Sequence, residues 1–414
     1  MHVHQSGKAT ATDDRLTELD ALRGLAAFAV LIHHAVQLIP HIPLPDIQGL
    51  GWLRYTLTQL TPLRILEFGR PAVLFFFVLS GYVLTRALLR HGSPGLAAFA
   101  AQRTLRLGLP VVVSVLLSVV LYALFADPAL PAEGRDRSLF TWLVPPTPGD
   151  VVSNALLLAD NDDMRLNVVL WSLVHEWRLT LLLPLVLLFR NRAMLFGAVV
   201  LAIMAIGIMG GATENRVLLG PQLHSTVAAS FYFAGGVGAG VLLALACGQD
   251  VPRLGRQGMV AGGLALLALF SMASDLAVYA GSVLLIVMAR QPGPLRDALR
   301  RPLLAWLGGI SFSLYLVHVP VLVATMHATH ALWHPAAIAL VGMVIAMGAA
   351  VVMHRFVEVP SRTLAKRAEK RLSRPTRPPS ERRVAVPTND WAPEGGLYVT
   401  IDRVPSVSSR QAAG

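Results

Sequence analysis

Residues 19–34 read Leu19-Asp20-Ala-Leu-Arg23-Gly-Leu-Ala-Ala-Phe-Ala-Val-Leu-Ile-His33-His34, an apolar run entered past an acid and a base and left past two histidines. Extended to Pro40, the run is long enough to cross a hydrocarbon core of about 30 Å. Similar runs follow at approximately Phe68–Leu89, Thr104–Ala126, Val168–Phe189, Met194–Gly211, Leu223–Cys247, Met259–Ala273, Leu276–Arg290, Pro302–Met326 and Leu332–Phe356. The expected fold is therefore an all-α integral membrane protein, a bundle of about ten transmembrane helices. The seventh and eighth runs are short and separated only by Ser274 and Asp275, so they suit a tight hairpin or a re-entrant unit.

Composition points the same way. Of 414 residues, 54% are hydrophobic and 14% charged, too apolar for a single water-soluble core. The formal charge of +11 comes from arginines clustered between and after apolar runs, a topology signal rather than a nucleic-acid surface. Cys247 is the only cysteine, and no His/Cys cluster has zinc spacing, so neither a disulfide nor a metal is expected. The polar start to Glu18 lacks the features of a signal peptide, and the first helix is read as retained.

Ten spans place Arg86, Arg90, Arg103, Arg106, Arg190, Arg192, Arg253, Arg256, Arg290, Arg296, Arg300 and Arg301 on one side. The largest opposite loop, Asp127 to Asn167, carries Asp127, Glu133, Asp136, Asp150, Asp160, Asp162 and Asp163 against three arginines. The positive-inside rule then puts both termini in the cytoplasm, and the resemblance given below implies the plasma (inner) membrane. Three parts are expected: a cytoplasmic segment 1–18, a transmembrane domain 19–360, and a tail 361–414 that is basic and then disordered.

Ionisable groups inside spans are functional candidates by default. Arg23 and His34 are eleven positions apart, about three turns, so they share one helix face with a rise of roughly 16 Å. Snorkelling of Arg23 and an interfacial position for the histidines are the bland reading. Ser80 and Gly81, followed by Tyr82, open mid-membrane space for a ligand or for helix packing. Arg103 and Arg106 lie one turn apart and suit phosphate recognition, or plain anchoring at the membrane face. Glu176, in Trp171-Ser-Leu-Val-His-Glu176, sits roughly 12 Å from the outer end of its span, at the depth of His34. It is read as the group that orients His34, or as a structural ion-pair member. Ser313-Leu-Tyr315-Leu-Val-His318 brings a further histidine to the same layer.

Together these segments resemble the acyltransferase-3 family of membrane acyltransferases. Leu19 to Leu25 with His34, Phe75-Phe-Phe-Val-Leu-Ser-Gly-Tyr82, Arg103-Thr-Leu-Arg106, Trp171-Ser-Leu with Glu176, Ser313 to His318, and Glu358-Val-Pro360 follow the family's order over roughly residues 19 to 360. His175, Arg178 and Thr180 depart from its usual fourth-helix block, and no fused esterase-like domain is read. The resemblance implies an O-acyltransferase that moves an acyl group, most often acetyl, from cytoplasmic acyl-CoA to a hydroxyl of a glycan, lipopolysaccharide or other small acceptor. Acyl-CoA is a co-substrate, with no bound cofactor. Arg23, Ser80, Gly81, Tyr82, Arg103 and Arg106 would bind it, His34 and Glu176 would catalyse, and Trp171, Tyr315 and His318 would support the acceptor. Transfer is expected to be direct, because no serine or cysteine is paired with a base. A proton-coupled transporter or flippase is the alternative, though its usual duplicated halves are not visible. Partners are acyl-CoA, the acceptor and the bilayer, with no nucleic acid.

Overall fold

Every element among the described residues is helical. A computed structural model describes residues 16–38, 69–128, 130, 142, 145–158, 166–213, 223–248 and 250–373, and no strand occurs among them. The helices are α1 (Thr17–Gln37), α2 (Arg70–His91), α3 (Leu96–Phe125), the short α4 (Pro148–Ala155), α5 (Leu170–Leu181) with a 3₁₀ continuation Leu183–Phe189, α6 (Ala193–Met209) and α7 (Leu223–Cys247). They continue with α8 (Arg256–Ser271), α9 (Asp275–Ala289), α10 (Pro294–Leu299), α11 (Pro302–Thr329), α12 (Pro335–Met353), a π turn His354–Glu358, and α13 (Val359–Leu372). Prolines open α2, α11 and α12, where the missing N–H would have had no intrahelical partner.

The centre of the bundle is α11, buried at most positions from Leu307 to His327 and packed against α1, α3 and α12. Lipid-facing rows such as Leu116, Val120 and Leu124 on α3 and Leu340 and Val344 on α12 stay exposed, as expected where the solvent is hydrocarbon. Helices here cannot be driven together by exclusion from water, so close backbone contact takes its place. Gly24 of α1 lies against Gly308 of α11, where a Cβ would come within 2.6 Å of the Gly308 nitrogen. Gly81 of α2 and Gly240 of α7 meet in the same way, each facing the other helix's backbone at Val237 and Val78. Gly240→Val should push α2 and α7 apart. The expected cost is about 1–3 kcal/mol, read as a lower melting temperature in detergent.

Two interior prolines break helix hydrogen bonds, and the freed carbonyls are met from other elements. Pro320 leaves the Leu316 carbonyl without its partner in α11, and that oxygen accepts from Asn167 Nδ2 at 2.8 Å and Ser114 Oγ at 2.9 Å. Pro110 does the same to Arg106, whose carbonyl accepts from Ser361 Oγ at 3.3 Å. α13 is thereby tied to α3.

The chain is an all-α multi-pass membrane protein. Among the described residues six helices are long and apolar enough to cross a membrane, and α5 with its 3₁₀ continuation, bent by 44°, makes a seventh if counted as one span. All ten expected segments are helical, but α6, α8 and α9 have 17, 16 and 15 residues, roughly 22–26 Å at 1.5 Å per residue. Length and composition thus support six or seven spans rather than about ten. α8 and α9 form a helical hairpin.

Helix also continues past residue 360. The wide π turn absorbs Pro360, and α13 runs on with Ser361 and Ala365 buried. The rest of the expected basic and then disordered tail, from 374 onward, lies outside the described residues, as do residues 1–15 and Glu133, Asp136, Asp160, Asp162 and Asp163 of the acidic loop.

Candidate functional site

The close contact at Gly24 and Gly308 sets α1 and α11 side by side, running the same way. Arg23 reaches α11 at one level, donating from Nε to Ser311 Oγ at 2.9 Å and from Nη2 to the Gly308 carbonyl at 3.1 Å. Three turns further on, His34 meets His318. On the other side the α2–α7 crossing uses Gly81, which turns Ser80 away from α7 toward α5. Ser80 Oγ donates to Glu176 Oε1 at 2.8 Å.

Between these helices opens a cavity of about 360 Å³. Six arginines line it, Arg23, Arg86, Arg90, Arg103, Arg106 and Arg362, against three carboxylates, Asp20, Glu176 and Glu358. The arginines come from the start of α1, the end of α2, the start of α3 and α13, so the basic groups gather at one end of the bundle. Arg103 is buried, its Nη2 3.1 Å from Thr180 Oγ1 and 3.4 Å from Glu176 Oε1. Arg23 also pairs with Asp20 at 3.4 Å. Glu358, 1% exposed, accepts from Ser313 Oγ at 2.6 Å, lies 2.9 Å from His354 Nδ1, and is bound by Arg362.

At its deep end the cavity stops at Tyr315. The phenol contacts Ser172 Oγ at 2.6 Å and the Val169 carbonyl at 3.1 Å, with Phe76 edge-on at 5.8 Å. One turn beyond, two histidines form a dyad whose proton positions follow from the hydrogen-bond network. His318 Nδ1 is 3.0 Å from the Leu314 carbonyl, which only accepts, so Nδ1 carries the proton and Nε2 is a lone pair. His34 Nδ1 lies 2.9 Å from that Nε2 and must donate to it. The remaining nitrogen of His34, Nε2, then holds a lone pair able to take a proton.

The residues singled out from the sequence separate into three groups. Arg23, Ser80, Arg103, Arg106, Glu176 and Tyr315 share the cavity. His34 and His318 sit just past its closed end. Gly81, Tyr82 and Trp171 do not line it and pack against other helices instead. The Tyr82 hydroxyl receives the Arg290 guanidinium, and Trp171 packs on Phe77 and Phe233 with ring centroids at 6.4 and 5.5 Å.

One expected pairing is corrected. Glu176 does not hold His34: its oxygen goes to Ser80 and Arg103, and the group beside His34 is His318. The equal depth inferred for Glu176 counted from the apolar edge of the run, but Leu166, Asn167 and Val169 are themselves buried inside the bundle. α5 starts deep, so Glu176 lies on the order of 10 Å, about two turns, nearer the basic end than the dyad. Ser172 and Ser311, and the roles of Arg86, Arg90 and Arg362, were not singled out. Arg362 carried a usable signal, standing four residues after Glu358 as an i,i+4 pair, but reading Pro360 as the end of the helix concealed it.

A family model described as an acyltransferase domain matches residues 16–355, most of the chain. No curated protein and no solved structure matches it. With a model that spans α1 through α12 and so takes in both the basic cavity and the histidine dyad, the chain belongs to the acyltransferase-3 family and is a membrane acyltransferase.

Proposed function

We propose that this acyltransferase moves an acyl group, most often acetyl, from acyl-CoA to a hydroxyl of a glycan, lipopolysaccharide or other small acceptor, with no resident cofactor. The observation that carries the reading is an arginine-lined cavity whose Tyr315 wall stands one helical turn from a histidine dyad. Coenzyme A is a polyanion at one end and a thioester at the tip of a slender arm. Arginines suit the first, and the part of the cavity lined by Ser80 and Tyr315 suits the second.

His34 is the catalytic base in this reading. Its Nε2 removes the acceptor's hydroxyl proton as the oxygen attacks the thioester carbonyl carbon. The C–S bond breaks, and the imidazolium returns the proton to the leaving thiolate, giving the ester and free coenzyme A. His318 is a positioning residue that keeps Nδ1 of His34 protonated, the part the buried carboxylate plays in a Ser-His-Asp triad. Glu176 anchors Arg103 and Ser80 in the cavity wall. Because Tyr315 closes the path, the arm must displace the Tyr315–Ser172 contact to reach His34.

The topology that goes with this reading has the basic end in the cytoplasm, where acyl-CoA is found, and α6, α8 and α9 completing ten crossings. Both termini are then cytoplasmic and the protein resides in the plasma (inner) membrane.

The test is turnover of acetyl-, succinyl- and longer acyl-CoA by the purified protein, with solubilised cell-envelope extract as the acceptor pool. Release of coenzyme A that requires the extract supports the proposal. No release with any donor overturns it. Direct transfer further predicts that labelled acyl groups do not accumulate on the protein when acceptor is omitted.

A further inference from the structure

The geometry points to α13 as part of the donor site, with Arg362 binding a phosphate of the nucleotide end of acyl-CoA. The inference rests on the acyl-CoA reading above and concerns residues beyond the stretch 16–355 that the family model matches.

The deep arginines already have partners. Arg23 is held by Asp20, Ser311 and the Gly308 carbonyl, and Arg103 by Glu176 and Thr180. Their charges shape the wall, and the phosphates must be met nearer the mouth. There Arg106 and Arg362 share the cavity, close enough that Arg106 feels the like charges of Arg362, Arg103 and Arg23. With six arginines against three carboxylates in the lining, the cavity holds a surplus of positive charge that a polyanion relieves.

Arg362 is also built into place. Ser361 ties α13 to α3 through the Leu105 and Arg106 carbonyls, each at 3.3 Å. Glu358, fixed by Ser313 and His354, holds one nitrogen of the Arg362 guanidinium. Its Nε is buried with no hydrogen-bond partner. A guanidinium held by Glu358 at one nitrogen keeps its other N–H groups for a further acceptor, and a phosphate suits them.

The experiment compares two donors carrying the same acyl group: acyl-CoA and S-acyl pantetheine, which keeps the thioester arm but has no nucleotide. Arg362→Ala should raise KM for acyl-CoA about tenfold, in the range of one charge-assisted hydrogen bond, with kcat within about twofold. KM for acyl pantetheine should not move, and Arg362→Lys should recover part of the loss. An unchanged KM for acyl-CoA overturns the assignment. So does an equal change with both donors, which is the mark of α13 coming loose or of a bound lipid headgroup phosphate. Wild-type protein that turns over neither donor sinks the acyl-CoA reading itself, an outcome distinct from either.

Discussion

His34→Ala should lower acyl transfer by about 10²- to 10⁴-fold, the usual contribution of a positioned general base, while the protein remains folded. His34 is half-buried and pairs with the neutral ring of His318, so its removal leaves no unpaired charge behind. The dyad geometry adds a sharper expectation for its partner. His318→Gln keeps an acceptor for His34 Nδ1–H and should retain a good part of kcat. His318→Leu removes that acceptor and should lose most of it. The checks are initial rates of coenzyme A release and the melting temperature of each variant. Equal rates for the two His318 variants would show that the tautomer of His34 does not matter, and full activity in His34→Ala would remove it from the chemistry.

Arg103→Ala is expected to act first on stability. Arg103 has 4% side-chain exposure and Glu176 18%, and removing the arginine leaves the carboxylate with Ser80 as its remaining partner. Breaking such a pair costs about 3–5 kcal/mol, which should show as a large fall in folded yield and melting temperature. Replacing both partners, as Arg103→Met with Glu176→Leu, removes the unpaired charge and should restore most of the folded protein. The restored double variant should still transfer acyl groups poorly, since Ser80 and the cavity wall lose their anchor. An Arg103→Ala protein as stable as wild type, with only KM for acyl-CoA raised, would instead make Arg103 a direct phosphate ligand.

The same residues show where sequence reasoning reached and where it stopped. The spacing of Arg23 and His34 was legible because both lie on one helix, whose period puts them on one face whatever surrounds it. That Arg103 and Arg106 stand at the same end as Arg23 was legible from the count of spans, whereas Glu176 was placed at the depth of His34 and proved to lie beside Arg103. Ser80, Gly81 and Tyr82 read as one block, yet only Ser80 faces the cavity, while Gly81 meets Val237 of α7 and Tyr82 meets Arg290. Which of three neighbours points inward depends on where α7 crosses, and that crossing was set by Gly240, far along the chain.

Apolar run length, charge balance between runs and helical period are local quantities, and from them follow a helical membrane protein, its segment positions and its candidate polar residues. Partner choice is not local. That His34 rests on His318 and Glu176 on Arg103 was decided by helix register across the bundle, and the depth at which α5 begins was decided by a buried stretch before it. The reach of the fold to Leu372 was likewise decided by packing, because the π turn before Pro360 is stabilised by Glu358 and Ser361 gripping other helices.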